Sequence, residues 1–131
     1  PEKVGGQTDM STTKALGDRG EAVTAQYLRE RGYALLASQW RCRYGELDLV
    51  ARDRDGTICF VEVKLRADAS FAEAREFVTP AKQRRIKTAA LTWLSTRECA
   101  LQPRFDVIEV YGEENAPVPP RINHLENAFG G

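Results

Sequence analysis

The sequence predicts a single α/β domain, a small mixed sheet flanked by helices. Three observations carry this. Apolar residues fall at helical spacing before Gly32 and again after Thr79-Pro80, short alternating segments lie between and beyond them, and Asp53-Arg54-Asp55-Gly56 has the composition of a tight β-turn. The 131 residues suit one domain. A domain of this size buries about two-thirds of the surface its unfolded chain exposes, so its core needs no covalent staples.

Residues 1–12 read as a flexible N-terminal segment, with Met10 a candidate native start, and residues 13–131 as the domain. The first helix is expected from Thr13 to Arg31, where Leu16, Val23, Tyr27 and Leu28 share a face and Gly32 suits the C-cap. Tyr33–Trp40, Leu47–Ala51 and Ile58–Leu65 read as three strands. Ser70-Phe71-Ala72-Glu73 has the form of a capping box and predicts a short helix start. A longer helix, Pro80 to about Arg97, has Thr79 as N-cap and Pro80 at its first position, with Ile86, Ala89, Ala90, Trp93 and Leu94 on one face. Phe105–Tyr111 is the fourth strand. Ile122, Leu125 and Phe129 are spaced to pack one turn of helix back onto the body. The order is helix–three strands–helix–strand, and the long helix allows the last strand to lie parallel to a neighbour.

Composition narrows the function. The 42% hydrophobic and 29% charged fractions are ordinary for a globular protein. No apolar run approaches a membrane span and no signal peptide is seen, so a cytoplasmic location without membrane association is expected. Cys42, Cys59 and Cys99 are odd in number and widely spaced, which fits neither a disulfide framework nor a zinc site; buried or incidental thiols are the simpler reading. One histidine, His124, leaves little scope for Ser-His-Asp or Cys-His chemistry. Gly17-Asp18-Arg19-Gly20 follows no strand and is no phosphate loop, and no nucleotide cofactor is expected. Net charge is zero, yet Thr79 to Arg104 holds six basic residues against one acid, Glu98. That stretch is a local basic surface on a neutral protein, or an ordinary solvated face.

Chemistry concentrates on two strands. Side chains alternate along a strand, so Leu47 and Leu49 are expected on one face and Glu46 and Asp48 on the other, while Glu62, Lys64 and Arg66 oppose Val61, Val63 and Leu65. A three-residue loop Arg54-Asp55-Gly56, with glycine in the left-handed position, would pair Asp53 with Thr57, and hence Asp48 with Glu62 and Glu46 with Lys64. Glu46 with Lys64 reads as a common cross-strand ion pair, and Arg104 with Asp106 as a local pair. Asp48 facing Glu62 is different, because two adjacent carboxylates both stay ionised only with a cation between them. An all-oxygen site suits Mg²⁺ or Mn²⁺. Such an ion polarises a phosphodiester and activates water, with Lys64 orienting the water or stabilising developing charge. Glu21 would reach the same ion if the first helix packs beside the hairpin. Lys82 and Gln83 open the second helix, whose N-terminal end favours phosphate; Arg84 and Arg85, with Arg66, extend the expected nucleic-acid contacts.

An acid on the first helix, an Asp on the second strand and Glu-x-Lys on the third resemble the signature of the PD-(D/E)XK nuclease superfamily, whose restriction-endonuclease-like core has the same element order. More narrowly, the chain resembles the YraN-like family of predicted endonucleases, related to archaeal Holliday-junction resolvases. Gly17 to Glu21, Gln39 to Arg43, Gly45 to Leu49, Phe60 to Lys64, Lys82 to Arg85, Arg104 to Val107 and Asn127 to Phe129 carry that resemblance. It departs after the third strand, where Leu65 stands for the usual Thr and Ala72 for the Gly of a Phe-Gly pair. The resemblance implies Glu21, Asp48 and Glu62 as metal ligands, Lys64 as catalytic lysine and Gln83 as a helper. It also implies a homodimer, as for resolvases that cut two strands. The expected function is a Mg²⁺-dependent DNA endonuclease acting on branched or damaged DNA in recombination or repair. The alternative is a non-catalytic nucleic-acid-binding or scaffolding module that keeps the nuclease fold.

Overall fold

Seven elements follow one another along the chain: α1 (Ser11–Glu30), β1 (Ala34–Cys42), β2 (Gly45–Arg52), β3 (Ile58–Arg66), α2 (Pro80–Leu94), β4 (Arg104–Tyr111) and β5 (Arg121–Leu125). The computed structural model describes residues 11–66, 78–95, 97, 102–112 and 119–129. The expected helix at Ser70 and the thiol of Cys99 lie outside them. The strands form one sheet in the order β1-β2-β3-β4-β5. Only β3 and β4 are parallel, linked through α2, and the other neighbours are antiparallel.

Each helix covers one sheet face. Leu28 of α1 packs with Leu49, Ala51, Cys59, Val61, Ile108 and Val110. Ile86, Ala89, Ala90 and Trp93 of α2 pack with Val50, Ile58, Phe60, Phe105 and Val107. The two sets are alternate residues of the same strands, as the two-residue period requires. The start of α2 follows its expected caps: Thr79 is extended and its Oγ1 accepts from the Lys82 N–H at 3.2 Å, with Pro80 next. The helix closes at Ser95, whose N–H reaches the carbonyls of Leu91 and Thr92, so Arg97 lies beyond it. Arg97 instead lays its guanidinium 3.9 Å from the centre of the Trp93 ring.

Two expectations change. The C-terminal segment is not helical: Arg121–Leu125 is a fifth strand, antiparallel to β4. Without it β4 would be an edge strand with unpaired backbone groups beside a buried core. Alternation explains the pattern, since Ile122 joins the α1-side cluster and Leu125 the α2-side cluster. Leu47 also leaves Leu49, packing on the α2 side while Leu49 packs on the α1 side. Opposite this stretch Gln39 is left-handed (φ 49°). The hairpin end curls over α2, where a Cβ on Gly45 would make ordinary contact with the Arg85 carbonyl oxygen at 3.6 Å.

A polar clamp holds the β4 end of the sheet. Asp106 is fully buried and takes both Nε and Nη2 of Arg104 at 2.9 Å, the Asn127 N–H at 2.9 Å and Nε2 of His124 at 2.7 Å. Arg104 also donates to the Tyr33 hydroxyl at 2.7 Å and to Asp53 at 3.3 Å, while Tyr27 bonds the other His124 nitrogen at 3.2 Å. One carboxylate thus ties β4, β5, the β2–β3 turn and the α1 face together. Burial works against its charge, but the bonds from His124, Arg104 and Asn127 overcome this and hold it below the usual carboxylate range.

Removing one member of such a buried pair strands its partners. Asp106→Ala is expected to cost about 3–5 kcal/mol in urea unfolding. A depressed folded-state value makes the Asp106 contribution complete above the unfolded carboxylate range and lost as pH falls through it. The wild-type protein should therefore weaken below about pH 4, and the gap between it and Asp106→Ala should shrink there.

Candidate functional site

The site is set by a turn. Asp53 Oδ1 accepts from the N–H groups of Asp55 and Thr57, both at 2.9 Å, and the Asp53 N–H bonds the Thr57 carbonyl at 2.9 Å. Gly56 takes the left-handed position (φ 92°), where a side chain would be strained. This is the predicted three-residue loop, and the ladder that leaves it pairs Arg52 with Ile58 and Leu49 with Val61. One step further, Asp48 stands opposite Glu62. There the Asp48 side chain takes over from the backbone, its Oδ2 accepting from the Val63 N–H at 2.9 Å.

The acids sit on the α2 side of the sheet, midway along β2 and β3. Glu62 is 4% exposed. Burial, then the neighbouring Asp48 charge, pushes Glu62 up to about 8 against the opposing pull of Lys82 and Lys64. Burial also raises Asp48, resisted by the Val63 N–H and by the two lysines. Lys82 Nζ lies 3.6 Å from Glu62 Oε1. Lys64 lies beside Lys82, and burial together with the Lys82 amine lowers Lys64 to about 8. Burial disfavours the Lys82 charge, yet Lys64, Glu62 and Asp48 outweigh it and raise this amine. The two amines are thus shifted in opposite directions, Lys64 down and Lys82 up.

Asp48, Glu62, Lys64 and Lys82 thus form one electrostatic unit. The other expected residues are distributed around it. Arg66 Nε lies 3.7 Å from Glu109 Oε2. Gln83 Nε2 donates to the Val78 carbonyl at 2.9 Å, which braces the entry to α2. Arg84 and Arg85 are exposed on α2. Glu21 lines a cleft of about 480 Å³ between α1 and β1, with Ser38, Gln39 and Leu49. Among the described residues no three acidic, histidine or cysteine side chains converge as a metal-binding group. Glu46 pairs with Arg41 at 3.3 Å, so the expected Glu46–Lys64 pair gives way to Lys64–Lys82.

Sequence reasoning missed Glu109 and the role of Lys82 as partner of Glu62. Glu109 is 1% exposed, stands beside Lys64 in the parallel β3–β4 register and accepts from Asn123 at 2.7 Å. A charged residue inside an otherwise apolar strand, Val107-Ile108-Glu109-Val110, was the available signal. Cys59 stays outside the chemistry: it is fully buried and burial pushes its thiol up to about 12.

The profile of the Uncharacterised protein family UPF0102 matches residues 20–110. A UPF0102 protein of Geotalea uraniireducens is 43% identical over 122 residues, which cover 92% of this chain and 94% of that protein. One from Nocardia farcinica is 44% identical over 117 residues, covering 88% and 90%. A more distant one, from Bifidobacterium longum subsp. infantis, is 38% identical over 121 residues. No helix among the described residues is long and apolar enough to cross a membrane.

Because the Glu62 value is raised on folding, folding takes up a proton there. In metal-free protein this favours the fold at low pH, and the advantage is lost as pH rises from about 4.5 to about 8. Glu62→Gln should flatten that decline in thermal melts recorded across the same range, leaving the variant at least as stable as wild type near pH 8.

Proposed function

The chain belongs to the Uncharacterised protein family UPF0102, and within it we propose that this protein is a metal-dependent endonuclease of the PD-(D/E)XK type, hydrolysing phosphodiester bonds in DNA. One observation carries the reading: two carboxylates, the half-buried Asp48 and the buried Glu62, are set side by side by a defined turn, with an amine two residues further along the same strand face. A stable fold does not gain from such a pair unless a cation joins it.

The donor set fits a divalent ion. Mg²⁺ is commonly held by one or two carboxylates and completes its shell with water and substrate phosphate oxygens, so two protein ligands suffice and Glu21 need not be one. Held by Asp48 and Glu62, the ion supplies Lewis-acid stabilisation of the phosphodiester and activation of water. Everything else falls to the chain's own side chains. The Val63 N–H fixes one oxygen of Asp48 and so the direction of the other. Lys64, brought near neutrality, exchanges a proton at Nζ with the attacking water or donates to the developing charge on phosphorus-bound oxygen. Lys82, which reaches Glu62 at 3.6 Å, would be free to offer its ammonium to a phosphate oxygen if Glu62 held a divalent ion. Water adds to phosphorus as the bond to the leaving sugar oxygen breaks, and that oxygen takes up a proton. Branched or damaged DNA is the proposed substrate, and a dimer would serve paired cuts.

A second reading rests on the same ion pair. Lys82 already offsets part of the Glu62 charge at 3.6 Å, which supports a non-catalytic nucleic-acid-binding module on the nuclease fold.

Cleavage assays separate the two. With Mg²⁺ and a labelled four-way or forked DNA, the wild-type protein should nick and EDTA should abolish it. Asp48→Ala and Lys64→Ala should each lose about 10³-fold in rate while still binding DNA. Metal-independent binding with no cleavage of any branched, nicked or duplex substrate would support the second reading.

A further inference from the structure

The tip of the β1–β2 hairpin holds a feature that the acid site does not use. Tyr44 is 45% exposed, one of two large hydrophobic side chains so exposed among the described residues. The Arg43 guanidinium stands 5.3 Å from its ring centre. Gly45 packs beside Arg85, where a Cβ would make ordinary contact with its backbone, so this tip lies against the first turns of α2. Between them lies an open depression of about 240 Å³, lined by Tyr44, Ala81, Arg84, Arg85 and Thr88. Ala81 precedes Lys82, whose ammonium reaches Glu62 at 3.6 Å. One short path therefore runs from the acids, over Lys82, to a ring ringed by guanidinium groups.

The chemistry of that path is specific. An exposed aromatic face invites a flat π-surface, and guanidinium forks match phosphate oxygens in pairs. In a paired duplex the base faces are already stacked on one another, so only an unpaired or splayed base can present one to Tyr44. A base stacked there, its flanking phosphates on Arg84 and Arg85, would lead the strand past Lys82 toward the acids. An acidic peptide would satisfy the arginines but has no use for the ring.

The geometry points to this hairpin–helix depression as a docking site for an unpaired base of a nucleic acid strand, Tyr44 being the stacking platform and Arg84 and Arg85 the phosphate contacts. This deepens the nuclease reading, and rests on it for the class of partner: it makes a junction between paired and unpaired strands, rather than plain duplex, the preferred substrate.

The test uses the full chain carrying Glu62→Gln, in EDTA, so that no cleavage intervenes. The probes are a 12-nucleotide single strand with 2-aminopurine at its centre, a fork bearing that strand as one arm, and a blunt duplex of the same sequence. Anisotropy and 2-aminopurine emission are read at several salt concentrations. The strand and the fork should bind with quenched emission, and more tightly than the duplex. Tyr44→Ala should weaken strand binding by about 10-fold and abolish the quenching, while duplex binding changes less than about 2-fold; Tyr44→Trp should restore both. Arg84→Ala with Arg85→Ala should weaken all probes and lower the salt slope by about 1–2. Unchanged binding and quenching in Tyr44→Ala would overturn the proposal, as would no binding of the strand at low salt or equal displacement by polyglutamate. The nuclease reading fails on a separate result, absence of Mg²⁺-dependent cleavage by protein with Glu62 intact.

Discussion

Two carboxylates face each other across a β-hairpin, and the rest of the molecule is arranged around that cost. Asp48 and Glu62 are brought together by the short turn at Asp53–Thr57 and held there by the apolar residues on either side of them in β2 and β3, with Glu62 buried and Asp48 half-buried. Close like charges out of water cannot both be ionised without help. The protein supplies some of that help from Lys82 at 3.6 Å and from the Val63 N–H at 2.9 Å. What remains is expressed as a Glu62 that holds its proton to about 8. A structure with no use for the pair would lose nothing by replacing one acid, which is why the arrangement reads as a receiver for a cation.

The scaffold keeps the two ends of the sheet for different tasks. The polar network around Asp106 lies on the α1 side and is saturated: every hydrogen-bonding direction of that carboxylate is taken by β4, β5 and the segment after it. Its charge is fully matched, and its effect is to fasten the last strand to the body. The Asp48–Glu62 group lies on the α2 side and is under-matched. The two acid sites thus differ in electrostatic balance, and that balance distinguishes a rivet from a reactive centre.

The hairpin was legible in the sequence because its turn is local. Asp53 and Gly56 specify the loop through bonds spanning four residues, and a fixed register then carries forward to residues 48 and 62 by counting. The α2 start was legible for the same reason, in Thr79 and Pro80. Distant relationships were not. Glu109 meets Lys64 only because β4 pairs in parallel with β3, a register set by packing through α2 and written in no turn. Strand β5 was masked by a spacing, Ile122, Leu125, Phe129, that suits a helix as well as a strand with a turn behind it; the demand of β4 for a partner decided the matter. The position of Glu21 depends on how α1 lies across the sheet, and Leu47 on a left-handed Gln39 that composition does not announce. The neighbouring amines of Lys64 and Lys82 belong to the same class, one on a strand and one on a helix, joined only in three dimensions.

The most direct test of the central claim is titration calorimetry of the protein with Mg²⁺ and Mn²⁺ near neutral pH, in buffers of different ionisation enthalpy. A carboxylate pair waiting for a cation should bind a divalent ion and expel protons as it does so, since the ion replaces the proton held by Glu62. The account predicts binding with net proton release in the wild-type protein, and neither in Asp48→Asn nor in Glu62→Gln. Failure of the wild-type protein to bind a divalent ion, with or without branched DNA, would contradict it and leave the two acids as a structural pair balanced by Lys82.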